Sequence, residues 1–163
     1  VFDFHEMAAG KLSALFARKQ ARDLFDCHRI LSLNDIQLHR LRIAFIVYGA
    51  MNRKDWRTTS KEDIDFNETE LARQLLPTLH RNTWNTQKSS SEYGNLLTKE
   101  CRQALSAILP FKDEERKFLN LLLDKGEIDP STLTADEALQ QRIKKQPLLE
   151  WKALNVKRHK KLS

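Results

Sequence analysis

The chain has 163 residues, 40% hydrophobic and 31% charged, with a formal net charge of +6. That length fits one domain with a full core, and the balance excludes a disordered chain. No apolar run approaches the about 20 residues of a membrane span, no signal-peptide pattern opens the chain, and Cys27 and Cys101 lack metal-ligand spacing, so a cytoplasmic protein with reduced thiols is expected.

Four glycines and four prolines, against abundant Leu, Ala, Lys, Arg, Gln and Glu, favour helices over turn-rich sheet. The opening VFDFHE reads as the end of a strand (residues 1–4) running into a helix. A first helix is expected over residues 5–32, with Leu12, Leu15, Phe16, Leu24, Phe25, Ile30 and Leu31 at helical spacings. Gly10 lies inside it, at a cost of about 1 kcal/mol relative to Ala. After a break at SLND, Ser32 or Asn34 caps a second helix over residues 35–51, whose run LRIAFIVYGAM places it at the centre of the core. The polar loop NRKDWRTTSKEDIDF follows, and Asn67 caps ETELARQLLPTL, which Pro77 kinks or ends. The loop HRNTWNTQKSSS leads to a helix over residues 92–109, capped by the serines and closed by Pro110. KDEERKFLNLLLDKG forms the next, ending at Gly126. Thr134 with Glu137 fits a capping box opening a helix through residue 145. Pro147 begins the last, LLEWKALNVKRHKK. The expected fold is all-α, six or seven helices packed as one bundle-like domain over residues 1–163.

Within the first helix, KLSALFARKQARDLFD (residues 11–26) sets six charges among core-forming side chains. On one straight helix with Lys11 at zero, Arg18 falls at roughly −20°, Arg22 at roughly +20° and Asp26 at roughly +60°. Four charged side chains then share a stripe, with Asp23 at its flank. Such a stripe is either a solvated face tied by Arg22 and Asp26, or the charged edge of a partly buried helix facing something specific. Much of the remaining wheel is apolar, which favours the second.

The stretch EMAAGKLSALFARKQARDLFDCHRIL resembles the nucleotidyltransferase family of the AbiEii/AbiGii toxins. That family's pattern is a Lys, an Ala, an Arg and then Arg-Asp-x-x-Asp, at the intervals of Lys11, Ala14, Arg18, Arg22, Asp23 and Asp26. FLNLLLDKGEIDP and QPLLEWKALNV look like its C-terminal segments, with a Pro-x-Leu-x-Trp-Lys pattern. The resemblance implies transfer of a nucleotide from an NTP to RNA, notably the 3′ end of tRNA, with Mg²⁺ and in the setting of a cognate antitoxin. It implies a mixed-sheet core followed by a helical half. It also implies that Lys11 contacts triphosphate, that Asp26 completes the acidic site and can hold the metal, and that Arg18, Arg22 and Asp23 support it. Those residue types suit the roles. A Lys is a point charge for phosphate oxygens, and a carboxylate can take a hydroxyl proton or hold an ion. A nearby Arg keeps that carboxylate ionised.

The chain departs from the family pattern in one respect: no Gly-Ser precedes an acidic pair. Asp63 and Asp65 of EDIDF follow two helices in a polar loop, and they read as flanking carboxylates rather than metal ligands. The chain is therefore expected to be the C-terminal helical part of a larger nucleotidyltransferase, inactive alone and with no tightly bound cofactor. The alternative is a stand-alone helical interaction or nucleic-acid-binding module whose stripe is only surface. A concave, partly exposed face shared by Lys11, Arg22 and Asp26 beside Val1–Phe4 would favour the first, and open convex solvent the second. Lys144, Lys145, Lys157 and Arg158 either track an RNA backbone or form a solvated end. Trp56, Trp84 and Trp151 could stack on bases, though Trp151 lies at helical spacing from Leu148 and Leu154 and is expected in the core. The five histidines show no ligand spacing, so no zinc is expected. No nucleophile elbow, P-loop or dinucleotide fingerprint occurs.

Overall fold

The computed structural model describes residues 3–79 and 89–161. Among them are eight α-helical segments and no strand: α1 (Phe4–Arg18), α2 (Ala21–Leu31), α3 (Leu38–Ala50), α4 (Glu68–Glu70), α5 (Ser90–Leu105), α6 (Asp113–Lys125), α7 (Glu137–Lys144) and α8 (Pro147–His159). Asp3 does not end a strand. It caps α1, accepting from the His5 N–H, while Glu6 reaches back to the Asp3 N–H in a reciprocal box.

The extra helix arises because the single helix expected over residues 5–32 is two. Lys19 takes the left-handed conformation (φ 54°, ψ 36°), its N–H bonds to the Leu15 carbonyl at 2.9 Å, and Gln20 is extended. For a side-chain-bearing residue that conformation costs about 1–2 kcal/mol. Burial offsets the cost. The turn folds α2 back on α1, so that Leu12, Leu15 and Phe16 share one core with Leu24, Phe25 and Cys27. ARKQAR contains no Gly or Pro to announce the break.

Helix α3 packs chiefly on α1 and also on α6, with Leu41, Phe45, Ile46 and Val47 buried. It starts later than residue 35, and neither Ser32 nor Asn34 caps it. Gln37 takes the cap position, and its N–H is bonded by Nε2 of His5 at 3.0 Å. Near its end, a Cβ on Gly49 would stand 1.8 Å from Cε2 of Trp56, so the glycine admits the indole against the helix. Trp56 is fully buried, edge-on to Phe16 and Phe45 at centroid distances of 5.7 and 5.1 Å. It is a core residue and cannot stack on a base.

Asn67 caps α4 as expected, its side chain accepting from the Glu70 N–H at 3.0 Å. The segment then widens into a π turn (Leu71–Leu75) and tightens into a 3₁₀ turn (Leu76–Thr78) around Pro77. His80 and Trp84 lie outside the described residues. Ser89 caps α5, as expected of the serines, in a reciprocal box with Glu92, and the helix ends at Leu105 instead of residue 109, because Ile108 and Leu109 turn inward to be buried. Helix α6 stops at Gly126 (φ 67°), as expected. Asp136, not Thr134, caps α7: its side chain accepts from the Ala138 and Leu139 N–H groups, while the Thr134 hydroxyl accepts from Asp136 N–H. Asp outranks Thr at that position.

Helix α8 starts at Pro147 and buries Leu149 and Ala153, packing chiefly on α6. Trp151 is not in the core. It is 61% exposed beside Leu148 (62%) and Leu154 (47%), because the three share the stripe opposite the buried one.

Candidate functional site

Fifteen residues of straight α-helix span about 22 Å. Lys11 and Asp26 are fifteen apart, yet Lys11 Nζ donates to Asp26 Oδ2 at 2.8 Å. The reversal at Lys19 and Gln20 makes that contact. The two residues do share a face, but through a hairpin and not along one rod. A second rung runs from Arg18 Nη2 to Asp23 Oδ1 at 3.1 Å. Asp23 is 5% exposed, and its Oδ2 has no hydrogen-bond partner. Arg22, exposed one turn before Asp26, forms no ion pair with a described residue.

Arg22 and Asp26 line a cleft of about 770 Å³ between α2 and the irregular segment that begins at Asn67. The opposite wall presents Asn67, Glu70, Gln74 and Thr78, with Phe25 and Leu75 as apolar lining. The setting of Arg22 and Asp26 is concave and partly exposed, but neither Asp3 nor Phe4 lines it, so it is not the face beside the chain's first residues that was expected. Lys11 reaches the cleft through Asp26 and is not itself part of the lining. Glu70 and Gln74 carry no local sequence signal, since they read as ordinary helix surface. Only the fold sets them across from the charged rung.

Mg²⁺ demands near-octahedral oxygen ligands. No group of three or more His, Cys, Asp or Glu among the described residues could hold a metal ion. In the cleft, Asp26 is already bonded to Lys11 and Glu70 is the other carboxylate, so this donor set does not make a Mg²⁺ site by itself. The Asp63 and Asp65 pair is structural. Asp63 accepts from Lys54 Nζ at 2.9 Å and from the Ser60 N–H at 3.0 Å, and Asp65 accepts from the Phe66 N–H at 2.8 Å. Burial pushes the Asp63 carboxyl up, but the bonds from Lys54 and Ser60 hold it below the usual carboxylate value.

Lys144, Lys145, Lys157 and Arg158 do not line the cleft. Lys144, Lys145 and Arg158 are exposed, and Lys157 is half-buried with its stem over Gly126. A second cavity, about 510 Å³ between α1, α3 and α7, has its acids committed: Asp3 to Arg40 at 2.6 Å and to His5, Glu6 to Arg142 at 2.7 Å. The Cys27 and Cys101 thiols are free and buried; burial pushes both up, Cys101 to about 12, which removes them as nucleophiles near neutral pH.

Over residues 1–155 the chain matches the family described as Nucleotidyl transferase AbiEii toxin, Type IV TA system. No curated protein and no solved structure matches it. No helix among the described residues is long and apolar enough to cross a membrane. The chain belongs to the AbiEii nucleotidyltransferase toxin family.

Proposed function

We propose that this chain is the helical part of a toxin nucleotidyltransferase that moves a nucleotide from an NTP to RNA, with tRNA as the acceptor. In that reading the α1–α2 hairpin supplies the phosphate end of the site. The observation that carries it is the 2.8 Å contact between Lys11 and Asp26 at the edge of the cleft that Arg22 lines. Without ligand the two charges satisfy each other. A triphosphate gives Lys11 a stronger anionic partner, and Arg22, which pairs with no described residue, adds a planar fork of donors. Release of Lys11 leaves the Asp26 carboxylate able to accept a proton from an attacking hydroxyl or to lend one oxygen to Mg²⁺. The further acids that a metal needs are not among the described residues. Arg18 and buried Asp23 act on the hairpin itself, holding α2 against α1. Lys144, Lys145, Lys157 and Arg158 then track RNA beyond the cleft, and a cognate antitoxin completes the system in the cytoplasm.

Equilibrium binding of sodium tripolyphosphate to the chain tests this. Lys11→Ala and Arg22→Ala are each expected to weaken it about ten-fold, the size of a lost charge-assisted hydrogen bond. Binding that ignores Lys11 would remove the assignment. The 163 residues alone, with tRNA, Mg²⁺ and labelled NTPs, are expected to incorporate no nucleotide; incorporation would show that the chain needs no further acids. The reading as an interaction module draws support from the outward Leu148, Trp151 and Leu154. It gains if tripolyphosphate fails to bind and those three side chains carry a partner's affinity.

A further inference from the structure

We propose that the cleft is also a ribose site, in which the Glu70 carboxylate accepts hydrogen bonds from the vicinal hydroxyls of a nucleotide. The proposal rests on the phosphate reading of Lys11 and Arg22 and extends it to the other wall.

Four observations lead there. Glu70 is half-buried on the wall facing α2, and its side chain makes no ion pair or hydrogen bond with any described residue. The acids around the second cavity are matched, and Asp26 itself is bonded to Lys11. The backbone of Glu70 is fixed, because its N–H is held by the Asn67 side chain at 3.0 Å. Directly after it the helix widens into the π turn Leu71–Leu75, a feature frequent at functional sites. Gln74, within that turn, also lines the cleft, and its side chain has no hydrogen-bond partner among the described residues.

The chemistry of the two walls narrows the ligand. An ionised carboxylate only accepts hydrogen bonds, so Glu70 calls for donors. A cationic ligand would meet Arg22, which lines the same cleft and pairs with no described residue. A molecule with anionic groups at one end and neutral donors at the other meets both walls. Two adjacent hydroxyls can meet the two carboxylate oxygens, as an acid does with ribose hydroxyls in dinucleotide sites. The Gln74 amide can donate to or accept from the same sugar. Phe25, Leu75 and Leu79 supply the apolar lining, and Gln20, Asn67, Thr69 and Thr78 add further polar groups. The diol could belong to the incoming NTP or to the 3′-terminal ribose of the acceptor RNA.

The test measures binding to the full chain, with and without Glu70→Ala, for two matched pairs of ligands. One pair is ATP and 2′,3′-dideoxy-ATP. The other is a short single-stranded RNA with a free 3′ diol and the same RNA with a 2′,3′-dideoxy end. Sodium tripolyphosphate is the control. In one pair, Glu70→Ala is expected to weaken the diol ligand about ten-fold relative to its dideoxy partner, and not to weaken the dideoxy partner or tripolyphosphate. The pair that responds identifies the source of the ribose. Equal loss for diol and dideoxy ligands, or no loss in either pair, overturns the proposal. Failure of the phosphate reading shows separately, as tripolyphosphate binding indifferent to Lys11→Ala; adenosine against 2′,3′-dideoxyadenosine then decides the diol question without phosphates.

Discussion

At the α3–α6 junction, Arg42 spreads its guanidinium over both oxygens of Glu115 and donates to the Ala107 carbonyl at 2.7 Å, while Glu115 also accepts from the Lys112 N–H at 2.8 Å. On the α1–α2 hairpin, Lys11 and Arg18 each donate a single bond, and among the described residues one buried oxygen of Asp23 has no partner and Arg22 stands across the cleft from a Glu70 that is likewise unpaired. Both regions are built from ions, and only one is closed. The junction's side chains are 14% and 9% exposed, where an unpaired charge is costly, so every strong group is used. The Lys11–Asp26 pair is 43% and 28% exposed, where water subsidises incomplete pairing and a ligand can displace it. Closure marks a structural set, and spare capacity beside a cleft marks a binding one.

The largest effect expected from breaking this contrast is at the junction. Glu115→Ala strands Arg42 and should cost about 3–5 kcal/mol. Urea unfolding would measure the loss, while tripolyphosphate binding by the folded fraction stays unchanged. If phosphate binding fell with it, the two regions would not be separable.

Next in size is the turn that creates the hairpin. Lys19→Gly is expected to stabilise the chain by about 1 kcal/mol, because Gly enters the left-handed region without the Cβ penalty. On a continuous helix the same change would destabilise by about 1 kcal/mol. The sign of the shift in the urea midpoint therefore decides between hairpin and rod.

At the open rung, Lys11→Ala and Asp26→Ala should each move stability by less than about 1 kcal/mol, since the pair is partly solvated. Their effects on ligand should have opposite signs. Lys11→Ala weakens tripolyphosphate binding, whereas Asp26→Ala frees Lys11, removes a repelling charge and strengthens it. Loss in both variants would mean that the pair only holds the hairpin together.

Much of the fold was legible because its signals are local. Asn67, Ser89, Gly126 and Pro147 each sit where a cap or helix start needs that residue type. The helix count failed at Lys19, where tertiary burial overrides a helix-favouring sequence that has no breaker. The same failure bears on the site. Lys11 and Asp26 were brought together by an angular argument on one rod, and the fold brings them together by reversal, a long-range event that no window of sequence reports. Trp151 misled for a related reason: helical spacing says which residues share a stripe, not which stripe is buried. Glu70 and Gln74 had no signal at all, since their setting depends on a π turn and on the packing of a segment some forty residues beyond α2.

The smallest expected effect separates a third ion set from the hairpin by pH. Arg57 donates to Asp55, to Asp124 at 2.8 Å and to Asn120 at 3.1 Å, and Lys160 adds a contact to Asp124, so this surface set is closed although it is exposed. The hydrogen bonds from Arg57 hold the carboxyls of Asp55 and Asp124 below 3.8. A folded-state value below the unfolded one means the contribution is full above about pH 4 and is lost as pH falls through the lowered values. Arg57→Met should remove it. The variant's urea midpoint is therefore expected to change less steeply than the parent's as pH falls below about 4, with the two curves running parallel above about pH 5. Because both acids are nearly half exposed, the effect is small. A parent and variant with the same slope throughout would show that closure at the surface, unlike closure at the α3–α6 junction, contributes no measurable stability.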